Sequence, residues 1–291
     1  PSAIIDTYQQ PSNQVEILSG GNPDLSEETA DSVTAGIVWT SRLDHPLLRR
    51  LNVALDYYEI EVADVIGSLS AGTIIGACFN SDGSNPGYDP ANFYCQLFNR
   101  LGSGAITEVR LTQVNLAGLN TRGVDLQVDW GLALDDLGLP QGAGDLAVNL
   151  VYSRLDSFDR QARPGAAFVD YAGSIGGDLS GSALPDARWA LSATWSGGPL
   201  KATLRWRHVD GMTDARSIPT FSPTALNTPD YDVYDLTGSW RIDGRLTLRA
   251  GVNNIADEDP PYYTSYSNSN TDPSTYDALG RRWFVGLNAR F

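Results

Sequence analysis

Cys78 and Cys95, His45 and His208, and a set of aromatic rings outside the regular segments are the side chains whose chemistry could act on something beyond the chain. The two cysteines share one Gly/Asn/Asp/Pro-rich segment, where a thiol pair suits a disulfide in an oxidising compartment. His45 falls in a short turn and His208 at the end of a different segment, and both are expected in solvent. No nucleophile–base–acid set and no zinc-ligand spacing accompanies them, so no catalytic residue, metal site or cofactor is expected. Gly173–Gly177 follows no strand-to-helix pattern that would cradle a phosphate. Asp82–Asp89 lacks the spacing of an EF-hand and reads as a loop turn. The rings that remain are Phe79, Tyr88, Phe93, Tyr94, Phe98, Tyr262, Tyr263, Tyr266 and Tyr276. A tyrosine can stack on a sugar or a catecholate and hydrogen-bond through its hydroxyl, so Tyr88, Phe93, Tyr94, Phe98, Tyr262, Tyr263, Tyr266 and Tyr276 are the candidate ligand contacts.

The segments that must carry these loops alternate with period two. Val33, Ala35, Ile37 and Trp39 alternate with small and polar residues, as do Leu51, Val53, Leu55 and Tyr57. The same pattern recurs at Val124–Trp130, Leu146–Tyr152, Trp189–Trp195, Leu200–Trp206, Tyr234–Ile242 and Leu246–Val252. A ninth segment closes the chain: Trp283, Val285, Leu287, Ala289 and Phe291 fall on one face, and Arg282, Gly286, Asn288 and Arg290 on the other, with Phe284 the one large apolar exception.

Connections alternate too. Residues 41–50, 135–144, 197–198 and 243–244 are short, whereas 67–104, 159–184, 210–230 and 256–280 are long. Long structureless loops are uncommon in compact domains but expected on the outer side of an outer-membrane barrel, opposite short periplasmic turns. Residues 105–134 are expected to form one long strand kinked by a bulge near Gly118 or Gly123. Residues 1–30 are expected to be an external loop.

Composition narrows the class. The formal charge of −15 argues against a nucleic-acid partner, which wants a basic face. No stretch approaches the roughly 18–20 apolar residues of a spanning helix, and the slightly negative mean hydropathy is compatible with a barrel whose lumen is polar. The tryptophans sort by strand end. Trp39, Trp130, Trp195 and Trp240 fall beside short connections, and Trp189, Trp206 and Trp283 beside long ones, as two interfacial girdles require. The face opposite the apolar one carries Arg188, Lys201, Arg205, Arg207, Arg241, Arg245, Arg249, Arg282 and Arg290, tolerable only against water or an internal domain. Nine strands do not close a barrel of even count, so the chain, which begins at Pro1 without a signal peptide, is expected to be part of a larger one.

Four stretches resemble a TonB-dependent outer-membrane receptor. Gly21-Asn22-Pro23-Asp24-Leu25-Ser26-Glu27-Glu28-Thr29 resembles a family stretch leading into a strand, with Ser-Glu in place of the usual Pro-Glu. Leu119-Asn120-Thr121-Arg122-Gly123-Val124-Asp125-Leu126 resembles a second family strand. Gly251-Val252-Asn253-Asn254-Ile255-Ala256-Asp257, followed by Pro260, Pro261 and Tyr262, resembles the end of the penultimate strand. Gly280 through Phe291 resembles the closing strand.

The resemblance implies an all-β, antiparallel up-and-down transmembrane barrel of about 22 strands, of which residues 1–291 form the C-terminal part. The N-terminal plug and the TonB box would lie elsewhere in the protein. It implies the bacterial outer membrane as location and energised uptake of siderophore-iron, cobalamin or oligosaccharide. Its partners would be membrane lipid, the TonB complex, the barrel-assembly machinery reading Phe291, and a small nutrient. It does not imply an enzyme. A passive porin-like barrel and a soluble carbohydrate-binding β protein are the alternatives.

Overall fold

The computed structural model describes residues 15–115, 118–161, 166–176, 183–218, 226–263 and 270–290. In chain order the strands are β1 (Glu16–Gly20), β2 (Thr29–Thr40), β3 (Leu51–Ala63), β4 (Ile66–Ser68), β5 (Phe98–Arg100), β6 (Ile106–Asn115), β7 (Gly118–Ala133), β8 (Asp145–Gln161) and β9 (Phe168–Asp170). They continue as β10 (Ser174–Ile175), β11 (Ala183–Leu184), β12 (Ala187–Gly197), β13 (Leu200–Val209), β14 (Thr213–Asp214), β15 (Tyr231–Arg241), β16 (Leu246–Asn253) and β17 (Arg282–Ala289). One helix, α1, spans Ala71–Cys78. The chain divides into two compact units, residues 1–30, 62–118 and 161–166 in the first and the remainder in the second.

The first unit is organised on β6, which pairs in parallel with β1 and antiparallel with β4 and β5. Ser70 caps α1, its hydroxyl accepting from the Thr73 N–H at 3.1 Å. Cys78, the last residue of the helix, is bonded to Cys95 in the following 3-10 turn, as expected. Around this bridge Leu69, Ile74, Phe98 and Val109 form a dry core. Asn85 is buried and gathers the Asp82–Asp89 turn: its amide donates to the Cys78 and Asp89 carbonyls and its oxygen accepts from the Asp89 N–H. The Gly21–Thr29 stretch is tied to β6 by side chains. Asn22 donates to the Gln113 carbonyl, and Asn115 pairs with the backbone of Ser26 in both directions.

Two expectations are corrected here. Residues 1–30 are not loop throughout, since β1 lies within them. Residues 105–134 are not one strand of the wall: β6 pairs with β1, β4 and β5, whereas β7 pairs into the large sheet. Alternation specifies a strand but not its partners, and Ile106–Asn115 finds them inside the first unit.

The second unit is a meander. Its sheet runs β17-β16-β15-β13-β12-β8-β7-β3-β2, with β9 on β8, and each of the nine expected segments forms one of these strands. The sheet is not closed, and β2 and β17 are its ends. Cross-strand register separates the faces. Leu200, Trp240, Leu248 and Leu287 fall in one row, and Lys201, Ser239, Arg249 and Gly286 in the next. No described helix is long and apolar enough to cross a membrane, but β12, β13 and β15 have 11, 10 and 11 residues, the roughly 9–11 that a tilted membrane strand uses.

Among the described residues the apolar face is open in several strands. Trp283, Val285 and Leu287 are 76%, 78% and 65% exposed, and Ile37, Leu204 and Trp240 are also open. Phe284, the exception in the last strand, points the other way and covers Gly251, its cross-strand partner, where a Cβ would lie 2.6 Å from the ring. At the short-turn ends, the Trp130 and Trp195 indoles donate to the Leu47 and Ala143 carbonyls of neighbouring turns at 2.7 and 2.8 Å. Arg49 and Asp136 link two of those turns by an ion pair.

Candidate ligand cleft and aromatic rim

The polar face of the second unit holds a cleft of about 560 Å³. Its charged lining and one amide come from four wall strands and one loop: Asp56, Asp125, Gln127, Arg188, Arg207 and Asp277. Arg207 grips Asp235 on the neighbouring strand with two nitrogens, at 3.2 and 3.3 Å, and Asp235 also accepts the Asn254 N–H. Asp277 is held by Arg282 at 2.5 Å. Among the described residues Arg188 has no ion-pair partner, and Asp56 and Asp125 have none either. The cleft therefore offers one guanidinium, one amide and two carboxylates to a polar visitor. Gly123, from the second family-like stretch, lets strands approach at this place: a Cβ there would lie 2.5 Å from the Tyr58 hydroxyl and would meet the Arg154 carbonyl.

Three long loops meet at one end of the cleft, against Tyr231 and Val233 of its lining. Ile175, Met212, Tyr231, Val233, Tyr263 and Tyr276 form a buried cluster. Tyr276 is 3% exposed, meets Tyr231 edge-on at 5.2 Å and donates to Thr228 at 3.1 Å. Tyr263 donates to the Ile175 carbonyl at 3.3 Å. Burial raises the ionisation range of both phenols, so they stay neutral donors. Asp214 is fully buried beside them. Burial alone would push its carboxyl up, but side-chain and backbone hydrogen bonds from Arg216 outweigh this and hold it below the usual carboxylate range.

The rings named from sequence thus divide. Tyr263 and Tyr276 knit loops of the second unit to each other, and Tyr262 stands open beside them. In the first unit Phe98 is buried, Tyr94 is half-buried against the core, and Tyr88 and Phe93 are exposed. Phe79, Tyr88, Phe98 and Arg100 line a second cavity of about 520 Å³ next to the disulfide, with the Arg100 guanidinium 5.1 Å from the Phe79 ring centre. Tyr266 and Phe291 lie outside the described residues.

On the apolar face the rings sort by strand end. Tyr152, Trp189 and His208 form one row, and Leu191, Trp206 and Tyr234 the next, all near the long-loop ends. Trp206 stacks on Tyr234 at 6.0 Å and its indole donates to Asp232 at 2.5 Å. His208 departs from the solvated position expected of it. It is 8% exposed, stacked on Trp189 at 3.6 Å, and bonded through both nitrogens. Its cross-strand neighbours, Trp189 and Asp232, are remote in sequence, and no local pattern announces them.

An exposed apolar wall, a polar opposite face and short turns alternating with long loops define a transmembrane-type β-barrel wall, and the family comparison agrees. The family model for the TonB dependent receptor-like β-barrel matches residues 2–255, and the chain belongs to that family. Among solved structures it is similar to the FrpB iron transporter of Neisseria meningitidis (F3-3 variant), at 14% identity and a TM-score of 0.55 over 95% of this chain and 32% of that one. It is also similar to a mutant of the ferric enterobactin receptor PfeA of Pseudomonas aeruginosa in complex with enterobactin, at 16% identity and a TM-score of 0.56 over 94% of this chain and 33% of that one. The chain therefore spans about a third of the length of these structures. No curated protein matches it by sequence.

Proposed function

We propose that residues 1–291 form the C-terminal wall and ligand-capturing loops of an outer-membrane receptor, and that this receptor imports a scarce nutrient under TonB energisation. The observation that carries the reading is the apolar face that recurs on nine strands and is open on β2, β13, β15 and β17. Monomeric soluble proteins rarely expose contiguous apolar patches beyond a few hundred Å², and hydrocarbon is the medium that tolerates such a face. Lipid is then the partner of Val285, Leu204 and Ile37, and the seven tryptophans mark the two interfaces. The plug and the TonB-contacting box belong to other parts of the protein, and the closing strand through Phe291 is what the assembly machinery reads.

Siderophore-bound iron is the first nutrient class to test. One structural relative is described as an iron transporter and another as a ferric enterobactin receptor. Mixed donors and acceptors in the cleft, with open rings at Tyr88, Phe93 and Tyr262, suit a polar ligand bearing aromatic or sugar groups. The test is uptake of radioactive iron from a panel of ferric siderophores, by cells whose one siderophore receptor is the full-length protein. Uptake of at least one complex is expected, and it should stop when the proton gradient is collapsed. Uptake that persists without the gradient would assign a passive pore instead. A protein that stays in the aqueous phase without detergent would overturn the membrane reading.

A further inference from the structure

The long-loop end of the apolar face carries a group that the cleft does not use. Residues 206, 208 and 210 alternate onto the side opposite Arg207, so His208 and Asp210 project to the other face of the sheet from that guanidinium, with His208 also bordering the cleft. His208 is fixed from three directions. Its ring lies flat on Trp189, its Nδ1 is 2.8 Å from Asp232 Oδ1, and its Nε2 is 2.9 Å from Asp210 Oδ1. Asp230 approaches from the far end of the 210–230 loop, where one carboxylate oxygen accepts the Gly211 N–H at 2.8 Å and the other has no hydrogen bond among the described residues. One ligand atom each from His208, Asp210 and Asp230 lies within 4.8 Å of the other two. Asp186 adds negative charge near Asp210.

We propose that His208 Nε2, Asp210 and Asp230 bind a divalent transition metal of the zinc class, with Asp232 as the positioning residue on Nδ1. One imidazole and two carboxylates are a ligand set suited to zinc, which takes nitrogen and oxygen at about 2.0–2.2 Å and commonly leaves a fourth position to water. The imidazole selects against magnesium and calcium, which take oxygen ligands. A histidine that ligates a metal commonly gives its other N–H to a carboxylate, which fixes the tautomer, and Asp232 stands in that position. The histidine is immobile, whereas Asp230 is exposed and Asp210 half-buried, so the carboxylates are the groups that close on the ion. His208 and Asp210 stand at the end of β13 and Asp230 immediately before β15. The metal therefore clips the two ends of the 210–230 loop together, at the border of the ligand cleft.

The experiment is zinc titration of the full-length receptor in detergent after chelator treatment, with cobalt(II) as the spectroscopic probe and heat-modifiable gel mobility as the check of folding. Zinc should protect residues 210–230 from hydrogen exchange. His208→Ala should lower the bound zinc by one equivalent and remove the cobalt–imidazole signature. Asp230→Asn, at an exposed position, should weaken binding at least tenfold, and Asp232→Asn about 10–100-fold, whereas His45→Ala should change nothing. The proposal falls if the folded wild type takes up no zinc in the micromolar range. It falls equally if the equivalents bound and the cobalt spectrum are the same in His208→Ala and Asp230→Asn as in the wild type.

Discussion

Val109 and Val285 are the same residue in the same kind of strand, yet the first is 0% exposed and the second 78%. Val109 sits in β6, inside a disulfide-closed unit that buries its own apolar residues as a small secreted domain does. Val285 sits in β17, in a wall that leaves its apolar row open. The difference teaches that the two units treat apolar side chains in opposite ways, as the proposed membrane wall requires. Folding against water pulls Ile74, Phe98 and Val109 into one core. In the proposed membrane setting, hydrocarbon would remove the pressure to cover Leu204 or Val285, and would ask instead that every backbone group find a partner along the sheet.

The largest effect that separates the two is expected from deleting apolar volume. Ile74→Ala should destabilise the first unit by about 2–5 kcal/mol, whereas Ile37→Ala on the open face should cost much less; comparable losses in denaturant titrations of the full protein would break the contrast. Introducing charge should reverse the ranking. Leu204→Arg on the wall should cost about 2–4 kcal/mol in a bilayer, measured by equilibrium unfolding from lipid vesicles, while Leu101→Arg, exposed in the first unit, should be near neutral.

Removing the bridge is expected to act on one side alone. The cysteines are 17 residues apart, for which loop-closure entropy gives roughly 3 kcal/mol. Cys78→Ser with Cys95→Ser should open residues 71–98 to protease and leave the heat-modifiable mobility of the wall unchanged. A smaller loss, about 1 kcal/mol, is expected for Tyr276→Phe, which removes the bond to Thr228 and should loosen the loops over the cleft in hydrogen exchange.

The smallest effect is an acid one. The folded Asp214 carboxyl titrates below its ordinary range, so its contribution is present above the unfolded value near 3.9 and is lost as pH falls through the lower folded value. Near-ultraviolet dichroism of the buried tyrosines should fade below about pH 4, and Asp214→Asn should remove that dependence while leaving the first unit unaffected.

The strands of the wall were legible because alternation is a local property. Side chains of one strand point to opposite faces whatever the strand pairs with, so Leu200–Trp206 or Leu246–Val252 declares itself alone. The sorting of the seven tryptophans by strand end was legible for the same reason, and so was the thiol pair, whose two members share one segment. The candidate contacts were legible only as a composition of loop rings. Tyr263 and Tyr276 differ from Tyr262 not in type but in what the 159–184 and 210–230 loops lay against them.

Partner choice was beyond any local pattern. Ile106–Asn115 reads like its neighbours as a strand, and only the assembled chain gives it to β1, β4 and β5 instead of to the wall. His208 reads as a polar strand end, and its burial comes from Trp189 on one adjoining strand and Asp232 on the other. The sequence by itself determined which residues form strands and which face of each is oily, because both follow from backbone geometry and side-chain polarity within a few residues. The tertiary structure decided which strands adjoin, which rings are sealed and which acids surround one imidazole, because those depend on groups brought together from distant parts of the chain.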